Sequence, residues 1–129
     1  MSSDINKMYE RAQAAFKEIE YWPQDKVDEM VNAVGWAWSK EESAMAMARL
    51  AVDESSIGVY EDKVAKIQSK TRGSLWQMRD VKTCGLVSED KEKGLKKFAK
   101  PIGVIANIVP CTNPESTVTA LGVNILKTR

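Results

Sequence analysis

The stretch that decides the fold is residues 102–109, Ile-Gly-Val-Ile-Ala-Asn-Ile-Val, followed directly by residues 110–114, Pro-Cys-Thr-Asn-Pro. The first run is apolar on both alternating faces, and only Asn107 is polar. This pattern is typical of a buried parallel strand with helices on both sides. Asn113 suits the N-cap of a helix, and Pro114 suits the first helical position. The sequence therefore predicts a strand, a turn and a helix.

The predicted helix carries Val118, Leu121 and Ile125 at spacings of three and four residues, and we expect this face to point inward. A parallel strand needs neighbouring strands, and the crossover to the next one takes about a dozen residues or more. The chain reaches Arg129 as this helix ends. We therefore expect residues 101–129 to form the first strand-turn-helix unit of an incomplete parallel sheet in an α/β fold.

A helical layer is predicted over residues 1–80. Apolar residues from Met8 to Ile19 recur at helical spacing, and this first helix should end near Tyr21 because Pro23 disfavours helical backbone before it. Three more helices are predicted. The second begins at Pro23 or Gln24, and Gly35 weakens its end. The third spans Ala44–Val52, and the fourth runs from Tyr60 to about Arg79.

Residues 81–100 have a different texture and predict an exposed β-hairpin. Short mixed segments flank a charged stretch, Glu89–Lys93, that Gly94 closes. The lysines from Lys91 to Lys100 could suggest a patch for phosphate or nucleic acid. Acidic residues lie among or beside them and interleaved aromatic residues are lacking, so a solvated hairpin is favoured.

Composition excludes several classes of function. The 19 basic and 18 acidic residues give a formal charge of +1, so no overall field favours nucleic acid or an anionic membrane. Two cysteines and no histidine leave no disulfide framework, no metal site and no Ser-His or Cys-His catalytic pair. The polar start has no signal-peptide layout and the longest apolar run is too short for a bilayer span, so we expect a cytoplasmic protein.

The stretch from Lys100 to Pro114 resembles the coenzyme-A-acylating aldehyde dehydrogenases, including the aldehyde dehydrogenase half of bifunctional aldehyde-alcohol dehydrogenases. That family reads Pro-Ile-Gly-x-Ile, a short apolar run, Pro-Thr-Thr-Asn-Pro, and a helix ending Leu-Lys-Thr-Arg, which is residues 126–129 here. Two upstream blocks agree with the family: Glu54-Ser55 with Gly58 and Glu61-Asp62-Lys63-Val64, and Lys82-Thr83-Cys84-Gly85 with Ser88-Glu89-Asp90. Ser56 stands where glycine is usual, and Cys111 where threonine is usual.

The resemblance implies the amino-terminal part of an NAD-dependent oxidoreductase that converts an aldehyde and coenzyme A to an acyl thioester. In this family a cysteine thiolate attacks the aldehyde, hydride leaves to NAD, and the thioester passes to coenzyme A. The nucleophile lies downstream in the family, so we expect this chain to be inactive alone. Residues 101–129 would open the dinucleotide-binding domain, and residues 81–100 would be an oligomerisation arm of a homo-oligomer. The alternative is a non-catalytic interaction fragment that binds full-length subunits.

Asn113 is the candidate catalytic residue. The resemblance implies that its side-chain amide donates to the oxyanion formed when thiolate adds to the carbonyl. Counting from Pro110 without gaps, however, places Thr112 at the position of the asparagine in non-acylating enzymes. Simple capping of the helix by Asn113 is the other interpretation, and both roles could coexist.

The candidate cofactor-binding residues are Ile108, Val109, Pro110, Cys111 and Thr112. By resemblance the first three line the path of the nicotinamide cofactor, with plain sheet core as the alternative. Cys111 lies at the carboxyl end of the predicted strand, where ligands bind in open α/β sheets. A packing or cofactor-contact role is favoured over a reactive thiol, because no histidine or cation cluster lies nearby in sequence.

Cys84 is predicted to be a small residue that packs near the hairpin rather than a reactive thiol, since cysteine is commonly buried.

Overall fold

A computed structural model describes the backbone of residues 2–129 and the side chains of residues 4–129. Within this range the regular structure consists of helices and one antiparallel hairpin, which confirms the predicted mixture of α and β structure. In chain order the elements are α1 (Ser2–Ile19), α2 (Gln24–Ser39), α3 (Glu41–Ser55), α4 (Tyr60–Met78), β1 (Gly85–Asp90), β2 (Leu95–Ala99) and α5 (Pro114–Thr128).

The core is built mainly from α2, α3, α4 and α5. One cluster joins Val27 and Val31 of α2 to Val123 of α5, and Trp22, Trp38 and Leu75 are among the side chains packed against it. A second cluster joins Ala44 and Ala48 of α3 to Ile67 of α4. The short side chains of α3 allow that helix to approach α4 closely.

The first helix lies at the edge of this bundle. Met8 and Tyr9 are 68% and 56% exposed, whereas Phe16 and Ile19 are half-buried. The half-buried end of α1 lines an apolar cleft of about 230 Å³ together with residues 103–105 and the end of α5. Among the described helices, none has both the length and the hydrophobicity needed to cross a membrane.

Helix α2 continues through Gly35 to Ser39, so the prediction that Gly35 weakens the helix end is wrong. Gly35 is buried against α4, and a Cβ added there would lie 2.7 Å from a methyl carbon of Leu75. The glycine is tolerated because it lets two helices approach closely, a gain in packing that its low helix propensity does not reveal.

Ser56 ends α3 in the left-handed conformation, with φ of 55° and ψ of 24°. Its backbone N–H donates to the Val52 carbonyl at 2.8 Å. A residue with a Cβ is strained in this region, and glycine is not. This conformation gives a physical reason why glycine is usual at the position.

The hairpin forms as predicted. Strands β1 and β2 pair antiparallel, and a bulge between Leu86 and Ser88 interrupts the register. Leu95 and Phe98 are 61% and 60% exposed. The hairpin therefore displays apolar side chains as well as lysines to solvent.

The predicted strand over residues 102–109 is not formed in this chain. Residues 101–110 form neither helix nor strand, and Ile108 is 97% exposed. Among the described residues, the only paired strands are β1 and β2 of the hairpin, and they pair with each other. Residues 102–109 therefore have no neighbouring strand with which to form backbone hydrogen bonds. The pattern marks a segment suited to a buried strand, but the partners that would bury it are not among these residues.

The prediction that Val118, Leu121 and Ile125 form the inward face of α5 is also wrong. Val118 and Leu121 are 44% and 40% exposed, and Ile125 is half-buried. The side of α5 that packs on α2 and α4 instead buries residues that are mostly polar. These are Glu115, Ser116, Thr119, Val123 and Lys127.

Two helical glycines should respond oppositely to alanine. A Cβ at Gly122 would lie 2.6 Å from the Trp38 ring, whereas nothing lies within 4 Å of one at Gly73. We expect Gly122→Ala to lower the free energy of unfolding by about 1–3 kcal/mol through overpacking. Gly73→Ala should raise it by about 0.5–1 kcal/mol, because alanine favours helix. Urea unfolding followed by circular dichroism measures both, and equal effects would contradict the close packing of α5 on Trp38.

Candidate functional site

The candidate site is the turn that leads into α5. Pro110, Cys111 and Thr112 are exposed, and Val109 is half-buried. With Ile108 also exposed, most of the predicted cofactor-binding residues lie on an open surface. In this chain they do not form the sheet core that was their alternative interpretation.

Asn113 occupies the predicted N-cap position of α5, and its backbone carbonyl accepts from the Thr117 N–H at 3.1 Å. Its side chain makes no capping hydrogen bond. Its Oδ1 instead accepts from the Nζ of Lys66 on α4. The side chain is therefore held by a neighbouring helix rather than by the helix that it begins.

A buried ion pair fixes the start of α5 against α4. The Nζ of Lys63 lies 3.3 Å from Oε2 of Glu115, and the two side chains are 2% and 1% exposed. Lys63 also donates to the Thr112 carbonyl at 3.3 Å. Buried charges are tolerated only when they are paired, so this contact strongly restricts how the two helices can pack.

Lys66 lies one helical turn beyond Lys63 and contacts the same carboxylate. Its Nζ is 3.6 Å from Oε1 of Glu115, an ion-pair distance beyond hydrogen-bond range, and Oε1 has no hydrogen-bond partner among the described atoms. The lysine side chain is 34% exposed. Two ammonium groups and one carboxylate thus surround the turn at residues 112–113.

Sequence reasoning missed Lys63 and Lys66 as parts of this site. From the sequence alone, Glu115 is simply a favourable carboxylate in the first turn of the helix, near the positive end of the helix dipole. The spacing of three between the lysines places them on one face of α4, which is a weak signal available from sequence. The pairing itself joins residues 52 positions apart, and no local pattern reveals it.

Arg129 fixes the other end of the segment that carries the candidate residues. Its carbonyl accepts from the backbone N–H groups of Ile102 at 3.0 Å and Gly103 at 2.9 Å. Its guanidinium donates to the carbonyls of Glu20, Trp22 and Thr83. Residues 102–113 therefore run between two anchored points.

Cys84 packs against the cluster around Val27, as predicted, and it is half-buried. The side-chain carbonyl of Gln24 accepts from the N–H groups of Thr83 at 2.7 Å and Cys84 at 3.0 Å. Cys84 also lines an open cleft of about 700 Å³ between the base of the hairpin and the α1–α2 turn. On that turn, a hydrogen bond to the Glu20 side chain and its negative charge raise the pKa of Tyr21.

Cys111, by contrast, is an exposed free thiol, so the packing role that was considered for it is not what the structure shows. The described residues contain no group of three or more histidine, cysteine, aspartate or glutamate side chains arranged to hold a metal ion.

The chain is similar in sequence to several known aldehyde dehydrogenases. The chain is 40% identical over 117 residues to a sulfoacetaldehyde dehydrogenase of Acholeplasma sp, covering 91% of this chain and 24% of that protein. It is 37% identical over 127 residues to the bifunctional aldehyde-alcohol dehydrogenase of Escherichia coli K12, covering 98% of this chain and 14% of that protein. No family model matches the chain.

The fold is also similar to that of a known aldehyde dehydrogenase. The crystal structure of an acetylating aldehyde dehydrogenase from Geobacillus thermoglucosidasius superposes with a TM-score of 0.93 at 32% identity, covering 98% of this chain and 27% of that one. Over most of its length the chain is similar in sequence to these aldehyde dehydrogenases, and its fold closely matches the amino-terminal region of the acetylating enzyme. It spans about a quarter or less of the length of these relatives.

The buried ion pair predicts a large loss of stability when one partner is neutralised. Glu115→Gln leaves the Lys63 ammonium buried without a counter-charge, and we expect the free energy of unfolding to fall by about 3–5 kcal/mol. The matched control is Glu42→Gln, which removes an exposed pair with Lys40 and should change it by less than about 0.5 kcal/mol.

A double variant, Lys63→Met with Glu115→Leu, removes both charges at once. It should be more stable than Glu115→Gln, because no charge is left buried alone. Urea unfolding of the three variants measures the differences, and a Glu115→Gln protein as stable as the control would show that the pair does not anchor α5.

Proposed function

We propose that this chain is the amino-terminal part of an oxidoreductase that converts an aldehyde, coenzyme A and NAD to acyl-CoA and NADH. The observation that carries the proposal is the match of 98% of the chain to an acetylating aldehyde dehydrogenase with a TM-score of 0.93. The sequence identities to enzymes of the same class, spread over about nine-tenths of the chain or more, support the same conclusion.

In the proposed reaction a cysteine outside these residues adds its thiolate to the aldehyde carbon, and the carbonyl electron pair moves to oxygen. Collapse of this oxyanion re-forms the carbonyl as the hydride leaves, which gives a thioester. The thiolate of coenzyme A then displaces the cysteine. The task left to the residues described here is to hold the oxyanion and to form part of the cofactor site.

The turn at residues 108–113 fits one wall of such a site. Ile108 and Pro110 expose apolar surface, which suits contact with a flat ring, and NAD when bound supplies the hydride acceptor. Asn113 offers a neutral amide donor, which the oxyanion requires. Its side chain is not used for capping α5, so the two roles weighed for this residue do not compete.

A second candidate function is a non-catalytic fragment that binds full-length subunits. The exposed Leu95 and Phe98 on the hairpin favour it, because apolar side chains displayed on a two-stranded arm suit contact with another subunit. In this function the chain would keep an association surface without contributing to turnover.

The first test separates the two functions. We expect residues 1–129 alone to give no NADH formation dependent on aldehyde and coenzyme A. An assembled enzyme, in which these residues are joined after α5 to the remaining part of the Acholeplasma sulfoacetaldehyde dehydrogenase, should form NADH with both substrates present. Robust turnover by the chain alone would refute the proposal. An inactive assembled enzyme, together with co-elution of the chain and a full-length homologue, would favour the interaction fragment.

The second test addresses Asn113 within the assembled enzyme. Loss of a single oxyanion donor lowers kcat by about 100- to 1000-fold, so Asn113→Ala should show a loss of this size. The matched control is Asn124→Ala, an exposed asparagine on the same helix, which should leave kcat unchanged. Steady-state kinetics measures both, and a fully active Asn113→Ala enzyme would exclude Asn113 as the donor and favour Thr112.

A further inference from the structure

The contact between Lys66 and Asn113 determines which way the side-chain amide points. An ammonium group only donates hydrogen bonds, so the amide atom that it touches must be the oxygen. The amide nitrogen therefore points away from Lys66. Among the described residues its hydrogen-bond partner is the Thr112 hydroxyl at 3.5 Å, the outer limit of hydrogen-bond range. The amide N–H groups are left with unused donor capacity.

Glu115 also contacts the ammonium group of Lys66. Its carboxylate is almost fully buried, and Oε2 is already paired with Lys63. The remaining oxygen, Oε1, lies 3.6 Å from Lys66 and has no hydrogen-bond partner among the described atoms. The ammonium of Lys66 is thus held between a buried carboxylate and the amide oxygen of Asn113.

We propose that Lys66 is a positioning residue that orients the Asn113 amide and strengthens it as a hydrogen-bond donor. This inference rests on the proposed function. A positive charge at the amide oxygen polarises the group, so its N–H donates more strongly to a developing negative charge. Without the lysine, the amide is free to rotate and to present its oxygen, which would repel the oxyanion.

The orientation can be tested on the 129-residue chain by NMR. The side-chain amide signals of Asn113 are assigned by their loss in Asn113→Asp. In Lys66→Met, which keeps a long side chain without the charge, these signals should shift and their solvent exchange should accelerate. The matched control is Lys70→Met, an exposed lysine one turn further along α4, which should leave them unchanged. Unchanged signals in Lys66→Met would overturn the proposed orientation.

The catalytic consequence is tested in the assembled enzyme. Misplacement of a catalytic group costs about 10- to 100-fold in rate, so Lys66→Met should lower kcat by this factor without raising the KM for NAD. Lys66→Arg should restore most of the loss. Because Lys66 acts through Asn113, the double variant Lys66→Met with Asn113→Ala should be no slower than Asn113→Ala alone.

The possible negative results bear on different parts of the proposal. Normal kcat in Lys66→Met, or losses that multiply in the double variant, would overturn the positioning role while the proposed function stands. An inactive assembled enzyme, together with co-elution of the chain and a full-length homologue, would overturn the proposed function and the catalytic part of the inference with it. The NMR result decides the orientation of the amide in either case.

Discussion

The fold around the candidate site depends on one interaction, the buried ion pair between Lys63 of α4 and Glu115 of α5. The two charged side chains are 2% and 1% exposed, and the loss of hydration is tolerated only because each charge is paired with the opposite charge of the other. Displacing one of these charges would leave the other buried without a counter-charge, which is strongly destabilising. The pair therefore fixes the position of the first turn of α5, and with it the turn that carries Asn113. Lys63 adds a direct hydrogen bond to the Thr112 carbonyl, so the same ammonium holds both the helix and the turn before it.

The far end of α5 is held by a related device. Lys127 is buried and pairs with Asp28 of α2, while the Arg129 guanidinium binds three carbonyls from the α1–α2 turn and the approach to the hairpin. Between its two polar ends α5 crosses Trp38 at Gly122, where no side chain would fit without a shift. Charge thus fixes both ends of the helix, and shape fixes its middle. The buried side of α5 is mostly polar for this reason, although Val123 joins the core there, and Val118 and Leu121 lie on the exposed side.

Sequence reasoning succeeded where the deciding signal is local. Pro23 separates the first two helices, Asn113 and Pro114 mark the start of α5, and the charged stretch before Gly94 marks the hairpin turn. It failed where a distant contact decides the outcome. Val118 and Leu121 have the spacing of an inward face, yet ion pairs with residues far away in sequence turn that face outward. Gly35 looked like a weak point because its contact with Leu75 spans 40 positions. The turn at residues 110–113 was identified as the candidate site from its motif, but the lysines that hold it were not, because they lie on another helix.

The apolar surface left open around this turn connects folding with the proposed chemistry. Ile108 is 97% exposed, and the backbone of residues 104–109 makes no ladder with the strands described here. A neighbouring parallel strand would satisfy those backbone groups and cover the apolar side chains in one step. The same strand would end beside Asn113, since parallel strands finish at a common edge, where ligands bind in open α/β sheets. Pairing with this one strand would then both cover the apolar side chains of residues 104–109 and close the site beside Asn113. An amide that is already oriented by Lys66 would meet this event without having to reorganise, which is the condition under which an oxyanion donor is most effective.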